Sequence, residues 1–264
     1  MHQHLVCVEC GSSVEKLVRD YGKGNLRLSI CSACNSVVDK YVEYETILLF
    51  LDVLLLKPQV YRHVLYNLPA PISTRTILKL FVILAMLDMN IKAYLVDRNA
   101  GVTFRLESMY RISDTTTSGI QVGLYLLCLA LLENVVYFVS IFCTIWIDPL
   151  HRNWRDKILL SEESETIDAA WTRYASAMCI SSFGKLFALL TVIWEYHWTF
   201  VYVIGALVAV SNGLALQLLL GEGGPAQVKS PYIVALVVLG VIAKSATQLT
   251  LFALGNSVLF HVLL

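Results

Sequence analysis

Four cysteines in two C-x2-C pairs, Cys7 with Cys10 and Cys31 with Cys34, are the residues of this chain whose type and spacing most directly specify chemistry. Two close pairs joined by a short hairpin-forming stretch can bring four thiolates to the corners of a tetrahedron, the geometry of structural Zn²⁺ in all-sulfur sites. Four thiolates fill the coordination of the metal, so the expected role is structural rather than catalytic. Between the pairs, "YGKGN" reads as a turn and "LRLSI" alternates as a strand does, as a zinc ribbon requires. So short a segment buries too little core to hold itself together, and metal binding of about 10–16 kcal/mol would supply the folding energy. Two other uses of paired cysteines compete: disulfides, which the cytosol disfavours, and a thioredoxin-like redox site, which needs one C-x-x-C in a βαβ setting. His2 and His4 stand near the first pair as further potential ligands, although a polar terminus is the simpler account of them.

A second set of candidates consists of polar side chains inside apolar runs. An ionisable group at mid-bilayer costs at least about 2.5–3.5 kcal/mol, so each needs a partner or a purpose. Glu133 lies at the centre of one such run and Lys185 near the middle of another, and antiparallel helices would place them at similar depth. We expect a buried Glu133–Lys185 pair, either fixing helix register or forming a polar point in a lipid-binding groove. Asn212 and Gln248 suit interhelical hydrogen bonds, and Asp88 with Lys92, four residues apart, suits a local pair on one helix face. In "YRHVLYN", Tyr61, Arg62, His63 and Asn67 combine rings and a cation beside a short apolar helix, a composition that fits either lipid headgroups or docking of the ribbon onto the membrane helices. No G-x-S-x-G, phosphate-binding glycine loop or catalytic metal spacing occurs in the sequence.

The elements that must carry these residues are mostly apolar. The chain of 264 residues is 57% hydrophobic and 15% charged, with a mean hydropathy of +0.65, well away from the composition of a soluble domain. Lys plus Arg balances Asp plus Glu at 20 each, which removes the electrostatic basis for nucleic-acid binding. The opening residues lack the features of a cleavable signal peptide, so insertion is expected to be directed by an internal span. Of the seven cysteines, Cys128, Cys143 and Cys179 fall in apolar runs and read as small buried hydrophobes.

The expected fold class is mainly α: about four to five membrane spans and a short interfacial helix behind a small amino-terminal zinc ribbon with four cysteine ligands. Residues 1–45 hold the ribbon and 46–75 an amphipathic helix with its connection, because "ILLFLDVLLL" is too short to cross a bilayer. Residues 76–264 form the membrane domain, with candidate spans at 76–96, 120–147, 177–194, 200–220 and 231–254. Trp146, Trp194 and Trp198 fall at span ends. Five spans with a cytosolic amino terminus put Lys16, Arg19, Lys23, Arg27, Lys40, Lys57, Arg62, Arg75, Arg152, Arg155, Lys157, Arg173 and Lys229 on the cytosolic side and only Arg98, Arg105 and Arg111 in the lumen, as the positive-inside rule favours. "SEESE" at 161–165 then reads as a solvated cytosolic face and "GEGG" at 221–224 as a turn.

A ribbon of this spacing followed by "YGKGNLRLSIC", "DKYVEYE" and "LLFLDVLLLKPQVYRHVLYN" resembles the Arv family of endoplasmic-reticulum lipid-homeostasis proteins. The resemblance is dense over residues 7–67 and continues in "ALLENVVYF", "SSFGKLFALLTVIWE" and "VSNGLAL". It implies a non-enzymatic, multi-pass protein of the endoplasmic reticulum, with the Golgi as a further address, its ribbon in the cytosol and a role in sterol distribution. It also implies links to sphingolipid balance and to an early stage of glycosylphosphatidylinositol anchor synthesis. Implied partners are sterol, ceramide or other sphingolipid, anchor intermediates, and subunits of the anchor-synthesis enzyme. Direct lipid handling near Glu133, Lys185 and Asn212, or scaffolding of those enzymes through the ribbon, are the two functions the sequence leaves open.

Overall fold

Backbone hydrogen bonds between short strands and turns organise the described residues up to Asp39. A computed structural model describes residues 5–20, 22, 25–68, 72–99, 116–147, 167–194, 199–221 and 230–253. Strands β1 (Leu5–Val6) and β2 (Ser13–Val14) pair antiparallel in the register Leu5 to Val14. Strands β3 (Val18–Asp20) and β4 (Leu26–Leu28) pair with Val18 opposite Leu28. An isolated bridge between Ile30 and Val37 closes the second cysteine loop. His2, His4, the loops holding "SEESE" and most of "GEGG", and Trp198 lie outside the described residues.

Helix α1 (Thr46–Leu54) ends because Leu56 turns into the left-handed region at φ 57°. The Leu56 amide donates to the Val53 carbonyl and the Lys57 amide to the Asp52 carbonyl, the pair of bonds that normally has glycine at the turning position. Pro58 then starts α2 (Pro58–Arg62) at the one helical position where a missing N–H costs nothing. The helix widens into a π turn over His63–Asn67, a rare form that tends to occur at functional positions. The amphipathic helix expected within 46–75 is therefore two helices joined at a turn.

The remaining helices are α3 (Thr74–Asn99), α4 (Thr116–Ile147), α5 (Ile167–Ser181), the turn α6 (Leu190–Ile193), α7 (Phe200–Leu220) and α8 (Ser230–Ala253). Among the described residues, three stretches are long and apolar enough to cross a membrane: Gly123–Ile147, Phe200–Leu220 and Pro231–Leu251. The expected span 76–96 is helical throughout but carries Lys79, Asp88 and Lys92. The expected span 177–194 is not one α-helix: α5 gives way at Ser182 to a 3-10 segment, Ser182–Leu189, before the turn α6. Ser181 and Ser182 both donate back to the Met178 carbonyl, competing with the helical ladder where "SSFG" already favours a break.

On α4 the exposed positions Leu124, Cys128, Leu132, Val135, Val139 and Cys143 recur every three to four residues. The opposite side buries Glu133 and Asn134. A helix that exposes oil and hides charge is built for a lipid solvent. Cys128 and Cys143 belong to that outward stripe, so of the three lone cysteines only Cys179 is the buried hydrophobe expected.

The chain forms two compact units. One comprises residues 1–77, 146–183 and 209–235. Its core packs Val8 and Tyr41 of the ribbon and Val53, Val60 and Tyr61 of the helical corner against Ala177, Ile180, Ala215 and Leu218. The other comprises residues 78–145, 184–208 and 236–264, and one of its clusters packs Ala188, Ile204 and Val208 with Ile91, Phe187 and Phe200.

Candidate functional site

Each cysteine pair sits on a tight knuckle, and the two knuckles are built alike. In the first, the Cys7 amide donates to the Ser12 carbonyl at 2.8 Å and the Gly11 amide to the Cys7 carbonyl at 2.8 Å. In the second, the Cys31 amide donates to Ser36 at 2.8 Å and the Asn35 amide to Cys31 at 2.9 Å. Gly11 (φ 77°) and Asn35 (φ 55°) take the left-handed conformation that lets the chain turn back, and these two residue types reach it most readily.

The four sulfurs converge: all lie within 4.8 Å of one another, with Cys7 to Cys34 at 3.8 Å and Cys10 to Cys31 at 3.7 Å. A tetrahedron with Zn–S bonds of about 2.3 Å has S···S edges of about 3.8 Å, so the donor set fits a zinc ion. Burial pushes the Cys7 thiol up to about 12. Cys10 is brought down to about 6, against its burial, by hydrogen bonding with Ser12 at 3.2 Å. A cation at the centre would favour the thiolate at every position. Zinc here would hold the two knuckles together and leave no open coordination position.

A polar clamp fastens this knob to the helical corner. The Asn67 side-chain oxygen accepts from the Val6 amide at 3.0 Å while its nitrogen donates to the Val6 carbonyl at 2.9 Å, so one side chain pairs with β1 as a strand would. The same nitrogen donates to Asp39 Oδ2 at 2.6 Å, and His63 Nδ1 lies 2.8 Å from that oxygen. Asp39 Oδ1 accepts from the Tyr41 amide at 2.9 Å, which satisfies a carboxylate with no exposure at all. Arg62 donates to the carbonyls of Val8 (2.7 Å) and Glu9 (3.0 Å) inside the first knuckle. Burial lowers the Arg62 pKa, opposed by the charges of Cys10, Cys7 and Glu9. A zinc ion held by the four thiolates would carry a net charge of −2, and Arg62, a buried cation bonded within the first knuckle, would offset part of it. Glu9, bonded to Gln59 at 3.1 Å and Lys40 at 3.0 Å, completes the attachment, and those bonds hold its carboxyl below the usual range. Tyr61 donates or accepts at Ser211 (2.7 Å) and Tyr66 donates to Leu218 (2.9 Å), tying the corner to α7. Tyr61, Arg62, His63 and Asn67 therefore point into protein.

The second polar assembly lies in the other unit. Glu133, fully buried on α4, is bridged by Lys92 of α3 at 2.7 and 2.8 Å. It also receives Gln248 (3.0 Å) and Lys244 (3.5 Å) from α8. Asp88 of α3 accepts from Lys185 (2.7 Å) and Asn134 (2.6 Å), and Lys185 also donates to Asn134 Oδ1 at 2.8 Å. Glu133 and Lys185 are thus both buried, but they do not form the expected mutual pair: the ion partner of Lys185 is Asp88 of α3, and Glu133 is bridged by Lys92 of α3. Asp88 and Lys92 likewise do not pair with each other, because residues four apart on α3 reach separate neighbours across the seam. Val135 and Val241 mark the middles of Gly123–Ile147 and Pro231–Leu251. At 1.5 Å per residue, Glu133 and Lys244 lie about 3 and 4.5 Å from mid-helix.

Asn212 belongs to the first unit, where its side-chain oxygen accepts from Ser181 at 2.6 Å and Ser182 at 3.3 Å. Sequence reasoning missed Asp39, Glu9 and Asn134 as members of these networks. Asn134 could have been found from "LLENVV", where it is a second polar residue within an apolar run. Asp39 carries no such local signal.

The sequence profile of the Arv1-like family matches residues 6–216. Similar proteins include "Protein arv1 homolog" of Dictyostelium discoideum, 28% identical over 98% of this chain and 99% of its own length. "Protein arv1" of Schizosaccharomyces pombe is 28% identical over 83% of this chain and 76% of its own, and "Protein ARV1" of Homo sapiens is 28% identical over 81% and 72%. None of these names is an enzyme's name. No solved structure matches the chain.

Proposed function

From the premise that the chain belongs to the Arv1-like family, we propose that it is a non-enzymatic lipid-handling protein of the endoplasmic-reticulum membrane that contributes to sterol distribution and sphingolipid balance. The observation that carries this reading is the buried assembly of Asp88, Lys92, Glu133, Asn134, Lys185, Lys244 and Gln248, in which Glu133 and Lys244 lie close to the middles of two apolar helices. Burying so many polar groups where a hydrocarbon core would be is costly, and ionisable groups at that depth are characteristic of sites that handle a polar group. The ribbon then serves as a metal-stapled cytosolic knob on the unit that holds α5. The test is transfer of labelled sterol between donor and acceptor liposomes by the purified, zinc-loaded full chain. A variant carrying Glu133→Gln with Lys92→Met removes one charge of each sign from a bonded pair. Transfer above the protein-free rate, reduced at least about tenfold in a variant that still folds, is the expected result.

A second reading has one observation in its favour. Leu26 and Ile30 on the ribbon are 65% and 66% exposed, large apolar side chains that suit a protein partner. In that reading the knob docks an enzyme of glycosylphosphatidylinositol anchor synthesis and no lipid is moved. Replacing Leu26 and Ile30 by serine with zinc retained would abolish activity in cells under the scaffold reading and leave it intact under the first. Absence of sterol transfer would favour the scaffold.

A further inference from the structure

Three cations meet two carboxylates in the membrane-helix cluster: Lys92, Lys185 and Lys244 against Asp88 and Glu133. Among the described residues the ionised group carries 3 − 2 = +1. An uncompensated charge among apolar helices is strongly unfavourable, so such a group either sheds a proton or attracts an anion.

The excess is localised at Lys244. Lys92 occupies both Glu133 oxygens at 2.7 and 2.8 Å, and Gln248 takes one of them again at 3.0 Å. Lys244 therefore meets a carboxylate already satisfied, and only at 3.5 Å. An ammonium has three donors, and this single long contact leaves most of that capacity unused. The Lys244 side chain is 32% exposed, against 5% for Lys92 and 11% for Lys185. Its position is fixed by Gly240 one turn earlier, where a Cβ would come within 2.7 Å of the Tyr137 ring and 2.8 Å of Ile141. The backbone of α8 thus lies directly on α4 and holds Lys244 at the edge of the seam. Tyr125, within electrostatic reach of Glu133, has a buried hydroxyl without a hydrogen-bond partner among the described residues.

We infer that the open edge of this cluster is a binding site for the phosphate of an anionic lipid headgroup, with the Lys244 ammonium as its contact. The inference rests on the lipid-handling reading above and adds a phosphate-bearing lipid to what that unit recognises. Val241, 46% exposed and three residues before Lys244 on the same face of α8, offers an acyl chain a surface that inorganic phosphate would not use.

The test is binding of acyl-labelled phosphatidate by the purified full chain in neutral detergent micelles, against diacylglycerol with the same chains. We expect phosphatidate to bind at least about tenfold more tightly, Lys244→Arg to keep that preference and Lys244→Gln to lose it. Equal affinity for the two lipids in the unaltered protein overturns the inference without recourse to any variant. So does a folded Lys244→Gln protein that binds phosphatidate unchanged. Displacement of the labelled lipid by millimolar inorganic phosphate would assign the site to soluble phosphate and overturn its lipid part. Sterol transfer on the same preparations separates the two readings: transfer without phosphatidate preference ends this inference alone, and phosphatidate preference without transfer supports it while ending the sterol reading.

Discussion

Gly11 and Asn35 occupy equivalent places, four residues after the first cysteine of each pair, and each opens the turn that returns the chain to the following serine. A β-branched side chain is strongly disfavoured at positive φ, so Asn35→Val should cost about 1–3 kcal/mol of ribbon stability. Asn35→Gly should be nearly neutral. The measurement is the concentration of a zinc chelator that half-empties the full-length protein: a lower value for valine but not glycine is expected, and equal values would mean that the knuckle tolerates another path. This part of the site was legible because its logic is local. The C-x2-C spacing, the glycine and the asparagine all act within six residues. The clamp was not legible in the same way. Asp39 and Asn67 are 28 residues apart and meet at the π turn that ends with Asn67, and neither residue departs from what a surface loop or helix end would carry.

At the level of elements, the apolar runs announced α4, α7 and α8, and their bounds follow hydropathy closely. Where the sequence misled, backbone chemistry overruled composition: serine hydroxyls bond back to Met178 and convert the second half of the expected 177–194 span to 3-10. Partner choice among buried ions was also out of reach. Lys185 and Asp88 are 97 residues apart, and which carboxylate a lysine meets is set by how helices rotate against one another. Gly240 shows how tightly that rotation is fixed. Gly240→Ala should push α8 from α4, costing about 1–3 kcal/mol by overpacking and weakening the grip of Lys244 and Gln248 on Glu133. Gly205→Ala on α7 is the matched control, since nothing lies within 4 Å of its added methyl. There alanine's better helix propensity should leave stability unchanged or raise it by up to about 1 kcal/mol. Melting midpoints in detergent for the two variants distinguish packing at Gly240 from a general intolerance of helix glycines, which would lower both.

Across the whole molecule, two different forces hold the two compact units. The first would depend on a metal at its four cysteines: the strands beside the knuckles are only two or three residues long, and Val8 and Tyr41 are part of the same core as Ala177 and Ala215. Losing the ribbon therefore strips cover from Asp39, Asn67 and the helical corner. The second unit has its own apolar cluster and its own paired ions, none of which involves a cysteine of the zinc set. Chelation at neutral pH should accordingly open the molecule in two stages. Limited proteolysis of the full chain in detergent, read by mass spectrometry, should show new cleavage first between residues 5 and 68, while fragments spanning 78–99 and 123–145 stay protected. Helical circular dichroism should fall only slightly, because the four ribbon strands and one 3-10 turn carry almost none of it. Restoring zinc should reverse the cleavage pattern, since metal binding and ribbon folding are one equilibrium. Simultaneous loss of protection throughout would instead mean that the metal stabilises the membrane helices as well. The polar cluster could then not be treated as a site independent of the ribbon.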